Sequence, residues 1–458
     1  MKKKLISVLL IFTLLCTVPV LTGCANQKEP SPEHPVTLTM WHVYGSQTES
    51  PLNTAIDEFN KTVGKEHGVT INVVSVTSSS AIDQALSAST NQVPGAESLP
   101  DLFTAYPRVF EIVGAEKLLC WNDYFTKSEL SQFKEEFLNE GYFDDSLLML
   151  PVAKSTEAFY LNKTIFDRFA KATGTSIKDL STFDDIFDVA KKYYDWSDGR
   201  HFMQMNDYYN YAFAGMQTAG KDFVKNGSLQ LDNPAFQRLW MPLAECAIYG
   251  GICLEDGYAA SRWKTVEIIA NTGSTADVLY QPEEVIYPDN TKESITALAM
   301  PYPLFDSHVK GAVHRGGGLF AMKNTDPRKN HGAYIFAKWL TEEQHNLNFV
   351  TESGYLPVTE TALTTLLEDI SVVENEKYHS LYTSVATMTD TYQLYNLPLY
   401  DNASAIQQNF EEDVKHVLRA ARQQYLKRHA AGGNNDALLE ELAASALDQL
   451  IQKSTDMR

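Results

Sequence analysis

Thiols are scarce in this chain. Five cysteines fall among 458 residues, at positions 16, 24, 120, 246 and 253, and no two have Cys-x-x-Cys spacing. Its absence, with three cysteines left beyond residue 24, argues against a disulfide framework and a cysteine zinc site. Cys246 and Cys253 could bridge, but buried free thiols are the plainer expectation. Positive charge is short as well: 38 Lys and Arg face 58 Asp and Glu, a formal net charge of −20. So acidic a body argues against nucleic acid and against electrostatic adhesion to an anionic membrane. Motifs of catalysis and nucleotide chemistry are also missing: there is no Gly-x-Ser-x-Gly, His-Glu-x-x-His, P-loop or EF-hand loop. Asp195-Trp196-Ser197-Asp198-Gly199 only imitates a calcium loop, because its glycine comes one position early and no Glu follows at the required place. Paired carboxylates are plentiful because the chain is acidic, so they do not mark a glycosidase. The expectation is a protein that is not an enzyme and uses no cofactor or metal.

What is present begins at the N-terminus. Met1-Lys2-Lys3-Lys4 precedes an apolar run from Leu5 to Val20, followed by Leu21-Thr22-Gly23-Cys24. A short positive segment, an apolar stretch and a small-residue site make a secretory signal over residues 1–23. Thr13, Thr17 and Pro19 interrupt the run, which is marginal for a bilayer span. Leu-Thr-Gly-Cys resembles the bacterial lipobox, which implies that Cys24 is diacylated and begins the mature chain. Two acyl chains hold a protein to a membrane where one holds it only marginally. Residues 24–35 carry Pro30, Pro32 and Pro35 and no apolar period, so they read as a flexible tether.

The remaining chain is long enough for two or three domains. Val36-Thr37-Leu38-Thr39-Met40-Trp41 alternates as a strand. A helical pattern through Leu52, Ile56 and Phe59, a strand at Val69–Val74, a helix near Ala81–Ser89 and a strand at Leu99–Thr104 follow. That rhythm means a parallel α/β sheet. Leu148–Pro151 and Glu157–Leu161 read as extended, Ile165 to about Gly250 as mostly helical, and Lys264–Ile269 and Ser294–Met300 as short apolar segments. Past Gly316-Gly317-Gly318, a helix runs through Tyr334 to Leu340, and the tail reads as helices over Ile406–Leu426 and Ala437–Ile451, split by Gly432-Gly433.

Several segments, in order, resemble the family 1 extracellular solute-binding proteins, the group of maltose- and glycerol-3-phosphate-binding proteins of ABC importers. They are Leu38–His42, Leu99–Phe103, Pro151–Lys163, Ser181–Asp185, Ala299–Pro301, Gly316–Gly318, Ala333–Glu343 and Gly354–Val358. The resemblance covers about residues 36–360 and implies a periplasmic-binding-protein-like α/β fold, two discontinuous lobes with a hinge and an interlobe ligand cleft. Carried over, lobe 1 is 36–153 plus 316–357 and lobe 2 is 158–311 plus 362–458. The hinges fall near 153–158, 311–315 and 357–362. It further implies a receptor, expected to be a monomer lipid-anchored on the extracytoplasmic face of the cell membrane, that serves ABC permease subunits.

Ligands sit at domain interfaces and at the carboxyl ends of parallel strands. On that rule Trp41 and Tyr44 follow the first strand, and Tyr106 and Arg108 follow the third. For Trp41 the competing reading is ordinary core, and for Arg108 a carboxylate partner. Ser155 falls on the first crossing, where the family often places a polar ligand contact. Tyr208 and Tyr209, in a tyrosine cluster behind Asp207, read as cleft aromatics rather than core. Ser274, in Asn271-Thr272-Gly273-Ser274-Thr275, fits either a ligand oxygen or a plain N-cap. Gly316 and Gly317 let backbone approach a ligand, and Tyr355 matches a ligand-touching Tyr of the glycerophosphate branch. Asn162-Lys163 reads as structural capping. That branch keeps an Arg for the phosphate where this chain has Tyr392–Pro398 with no basic residue, and it has a Glu and an aromatic where this chain has Pro107 and Ser78–Ala81. A buried anion needs a fork of donors. A sugar or oligosaccharide is therefore the expected ligand. Arg108, Lys154 and Arg315 keep glycerol-3-phosphate or a glycerophosphodiester as the alternative. A glycan-processing enzyme and a polysaccharide-holding adhesin are the contrasting classes.

Overall fold

The computed structural model describes residues 28–44, 50–76, 78–305, 309–373, 378–398, 400, 402–429 and 435–456. The signal segment 1–23, Cys24 and the Gly432-Gly433 break lie outside them. Four strands form the first sheet: β1 (Val36–His42), β2 (Val69–Val76), β3 (Leu102–Ala105) and β9 (Gly318–Ala321), in the order β9-β3-β1-β2. β1 runs parallel to β2 and β3, whereas β9 returns antiparallel to β3. In β1 the alternation is physical: Val36, Leu38 and Met40 are buried while Thr37 faces solvent. Helices start where side chains satisfy their first N–H groups. Ser50 caps α1 (Pro51–Lys61), Ser78 caps α2 (Ser79–Thr90) and Asn162 caps α3 (Lys163–Thr173).

The second sheet is mixed, not the parallel sheet that the early strand–helix rhythm implies for the chain. Its strands are β4 (Ser155–Asn162), β5 (Met203–Met205), β6 (Ala270–Ser274), β7 (Ala297–Pro301), β8 (Gly311–Arg315) and β10 (Gln393–Tyr395). The order is β10-β8-β4-β6-β5, with β7 also on β4. β4 is antiparallel to β6, β7 and β8, and all eight of its residues are buried. Within the stretch read as helical lie α4 (Phe183–Trp196), α5 (Tyr208–Thr218) and α6 (Pro234–Tyr249), with β5 between α4 and α5. Asn271–Ser274 falls within β6 itself.

Helices α7 (Pro327–Thr341) and α8 (Glu343–Thr351) pack with the first sheet's core, which includes Phe59, Phe336, Trp339 and Phe349. Helix α9 (Glu360–Glu368) packs on both α8 and α10 (His379–Thr391), and the tail helices α11 (Ala403–His429) and α12 (Asn435–Asp456) belong to the other side. There Phe410, Val414, Leu442 and Leu447 join the core of α4, α5 and α6, and Trp240 Nε1 donates to the Ala443 carbonyl at 2.9 Å. Cys120, Cys246 and Cys253 are free thiols. No helix among the described residues is long and apolar enough to cross a membrane.

One feature departs from the free tether expected over residues 24–35. Residues 28–35 are partly docked: Pro30 is buried, Ser31 and His34 exchange backbone hydrogen bonds, and Val36 N donates to the Gly68 carbonyl. Between the sheets the chain passes three times, and Lys154 touches all three passages. Its N–H and C=O pair with Leu356 at 3.0 and 2.6 Å, and its Nζ donates to the Gly316 carbonyl at 2.9 Å and to Glu140 Oε2 at 2.6 Å. Lys154 is wholly buried, so removing its ammonium strands a carboxylate and a carbonyl. Lys154→Met is expected to lower unfolding free energy by about 3 kcal/mol, the usual scale for breaking a buried pair from one side. Urea unfolding of both proteins measures it, and equal midpoints would refute the joint role of this side chain.

Candidate functional site

Between the sheets lies a cavity of about 450 Å³. The first lobe lines it with Tyr106 and Arg108, just past β3, and with Glu140 and Tyr142. The second contributes Asp207 and Asn210 at the start of α5, and Asn396 past β10. His314, Arg315 and Gly316, where β8 leads into β9, form part of the wall. Gly316 has φ +99° and lies against the Ala153 carbonyl, a backbone shape and a closeness that a side chain resists.

A node of charge dominates the second-lobe side. Arg315 Nη1 donates to Glu157 Oε1 at 3.1 Å and to Oε2 at 3.4 Å, and Arg315 Nη2 stands 3.6 Å from Asp207 Oδ2. Asn210 Nδ2 donates to Glu157 Oε1 at 2.6 Å. Asp207 Oδ1 accepts from Asn210 N at 2.7 Å, capping α5. Asp277 accepts from Asn206 Nδ2 at 3.1 Å, and Glu411 accepts from Tyr209 N at 2.6 Å. Burial lifts the Glu157 carboxyl to about 7; Arg315 opposes that rise and Asp207 adds to it. Burial also raises Asp277 and Glu411. Arg315 stays firmly protonated, its burial outweighed by Glu157 and Asp207.

The other cations are matched too. Arg108 Nε meets Asp83 Oδ2 at 2.5 Å, and its guanidinium lies 5.0 Å from the centre of the Tyr106 ring. Lys154 is held by Glu140. His314 is 6% exposed; its Nδ1 faces Asn396 Oδ1 at 3.1 Å and its Nε2 has no partner. Burial and then Lys154 push its pKa down to about 4, so the ring is neutral. With Nδ1 donating to Asn396, Nε2 is a free acceptor. Among the described residues no three His, Cys, Asp or Glu side chains are grouped to hold a metal.

Of the residues singled out in sequence, Tyr106, Arg108 and Gly316 line this cavity. Tyr355 is half-buried and packs on the first lobe's core: its ring meets Tyr44 edge-on at 4.9 Å, and Tyr44 is itself buried against Phe349. Trp41 packs in apolar core with Ile82, Leu86 and Phe103. Tyr208 is core, beside Trp240 and Phe410, and not at the cleft. Tyr209 is core as well, its hydroxyl 2.9 Å from that of Tyr400. α5 is buried on nearly all sides, which a count of tyrosines does not reveal. Ser155 is buried in β4 and pairs through its backbone with Arg315. Ser274 accepts from Ala276 N at 3.2 Å, the plain N-cap of a short 3-10 turn. Gly317 serves packing: a Cβ there would fall 2.1 Å from the Ala105 carbonyl. The sequence reading passed over Glu157, Asn210 and His314. The one available signal was a lone Glu inside an apolar strand, which needs a partner wherever it is buried.

Two α/β lobes with a polar and aromatic cavity between them define a solute-binding architecture. The family model described as bacterial extracellular solute-binding protein matches residues 54–378, and the chain belongs to that family. Solved structures share the fold at low identity. Maltose-bound MalE3 of T. maritima has 14% identity and a TM-score of 0.64, over 90% of this chain and 98% of that one. An ABC substrate-binding protein from Listeria monocytogenes in complex with cycloalternan has 13% identity and a TM-score of 0.65, over 90% and 98%. UgpB from Mycobacterium tuberculosis in complex with glycerophosphocholine has 14% identity and a TM-score of 0.63, over 91% and 99%. No curated protein sequence matches the chain.

The charge node predicts a pH effect with a definite sign. An unfolded Glu ionises near 4.5, whereas folded Glu157 ionises near 7. Its ionisation therefore weakens the fold as pH rises between those values, and a Gln at this position has no such slope. The melting temperature of Glu157→Gln minus that of the wild type should rise by a few degrees from pH 5 to pH 8. A flat difference would show that Glu157 titrates normally.

Proposed function

We propose that this protein is the extracytoplasmic receptor of an ABC importer, capturing a neutral sugar or oligosaccharide between its lobes and delivering it to the permease. The observation that carries the ligand class is the state of the cations. Arg108, Lys154 and Arg315 are each engaged by a carboxylate, so a phosphate would arrive without a free fork to receive it. Tyr106 and Tyr142 offer flat faces, and the partly exposed Asp207 carboxylate offers an acceptor for hydroxyl groups. The family membership and the maltose- and cycloalternan-bound neighbours support the same reading.

The mechanism is closure without chemistry. A ligand touching Tyr106 of one lobe and Asn210 of the other gains both sets of contacts only when the lobes approach, so it shifts the equilibrium by that differential affinity. The three passages around Lys154 are the hinge about which the lobes turn. The permease reads the closed form. The protein acts as a monomer, binds no cofactor and breaks no bond. A diacylated Cys24 keeps it at the membrane surface.

A thermal-shift series with neutral oligosaccharides and glycerophosphodiesters tests this. A true ligand at a hundred times its Kd adds about 2.7 kcal/mol of stability, and a neutral oligosaccharide is expected to do so. Stabilisation by phosphodiesters alone would overturn the sugar reading. Tyr106→Ala is expected to weaken binding of the same sugar by about tenfold, on the scale of a lost aromatic contact. Calorimetric titration measures that loss.

A further inference from the structure

We infer that Glu157 and Asp207 determine the charge of ligand that the cleft accepts, by holding the Arg315 guanidinium between them and so barring anions. The inference rests on the reading of this cavity as the ligand site, and it assigns the selection to particular atoms. Glu157 is in the middle of a strand whose eight residues are all buried. A carboxylate there is costly to bury, and neither the strand ladder nor the apolar layers beneath it need one. Its two oxygens are spent on Arg315 and on Asn210, whose amide fixes their direction. Asp207 divides its work: Oδ1 caps α5, while Oδ2 is left facing Arg315 Nη2. Asp277 adds a third negative group close enough to act on both Glu157 and Arg315.

An incoming phosphate would thus meet one guanidinium already bracketed by carboxylates, and like charges at that range repel it. Facing this wall, a hydroxyl finds the Asp207 carboxylate as an acceptor, and an anion finds a like charge beside Arg315. Specificity of this kind comes from the element that repels the wrong ligand as much as from the one that attracts the right one.

The full chain and two variants, Glu157→Gln and Asp207→Asn, are titrated with glycerol-3-phosphate, glycerophosphocholine and a panel of neutral oligosaccharides. The titrations run at pH 8, at low and at raised salt. Asn caps a helix as well as Asp does, so the second variant keeps the start of α5. The expected result is a gain of at least tenfold in affinity for the phosphates in Glu157→Gln and a smaller gain in Asp207→Asn. Both gains should shrink with salt. Circular dichroism establishes that each variant is folded; should Glu157→Gln fail to fold, Asp207→Asn alone decides. Folded variants that bind phosphates no better than the wild type overturn this inference and leave the sugar reading standing. A wild type that binds the phosphates tightly and no sugar overturns both.

Discussion

One residue gathers the three passages between the two halves of this molecule. Lys154 Nζ reaches Gly316 and Glu140, and the backbone of the same residue pairs with Leu356 in both directions. Three stretches far apart in sequence are thereby tied at one point, and every side chain that faces the interlobe cavity is placed relative to that tie. A buried lysine survives only with its charge answered, and the answering carboxylate belongs to the rim of the cavity. The joint and the site therefore share their electrostatics. The ammonium that steadies the passages also helps keep the neighbouring His314 neutral.

The acidity of the chain acquires a local meaning in the cleft. Around Arg315 stand Glu157, Asp207 and Asp277, with Glu411 behind Asp207. An excess of carboxylates over cations is a poor setting for a phosphate and a good one for hydroxyl groups, which donate. The absence of basic residues noticed in the sequence is matched in space by the engagement of those that remain.

Much of the architecture was legible because local patterns and tertiary packing agree. The alternation of Val36, Leu38 and Met40 and the capping by Asn162 each follow from one stretch of chain. The site was less legible because its contacts are distant. Glu157 and Arg315 lie 158 positions apart, and His314 meets Asn396 across 82; no periodicity reports such pairs. Aromatics misled in a physical way. Tyr208 and Tyr209 look amphipathic in sequence, yet α5 is sandwiched between β8 and α11, so Tyr209 satisfies its hydroxyl on Tyr400 inside the fold. Trp41 ends a strand at the expected edge but turns into the layer of Ile82 and Phe103. Strand ends indicate where a cavity lies, and not which side chains face it.

The docking of Pro30 shortens a leash. Five residues lie between Cys24 and that point, a reach of about 21 Å of fully extended chain, where a spacer free as far as Val36 would reach about 42 Å. Under the proposed lipid anchor, the volume the receptor can sweep shrinks about eightfold, since it grows as the cube of that reach. The first lobe, which holds Pro30, would then be the one nearer the membrane.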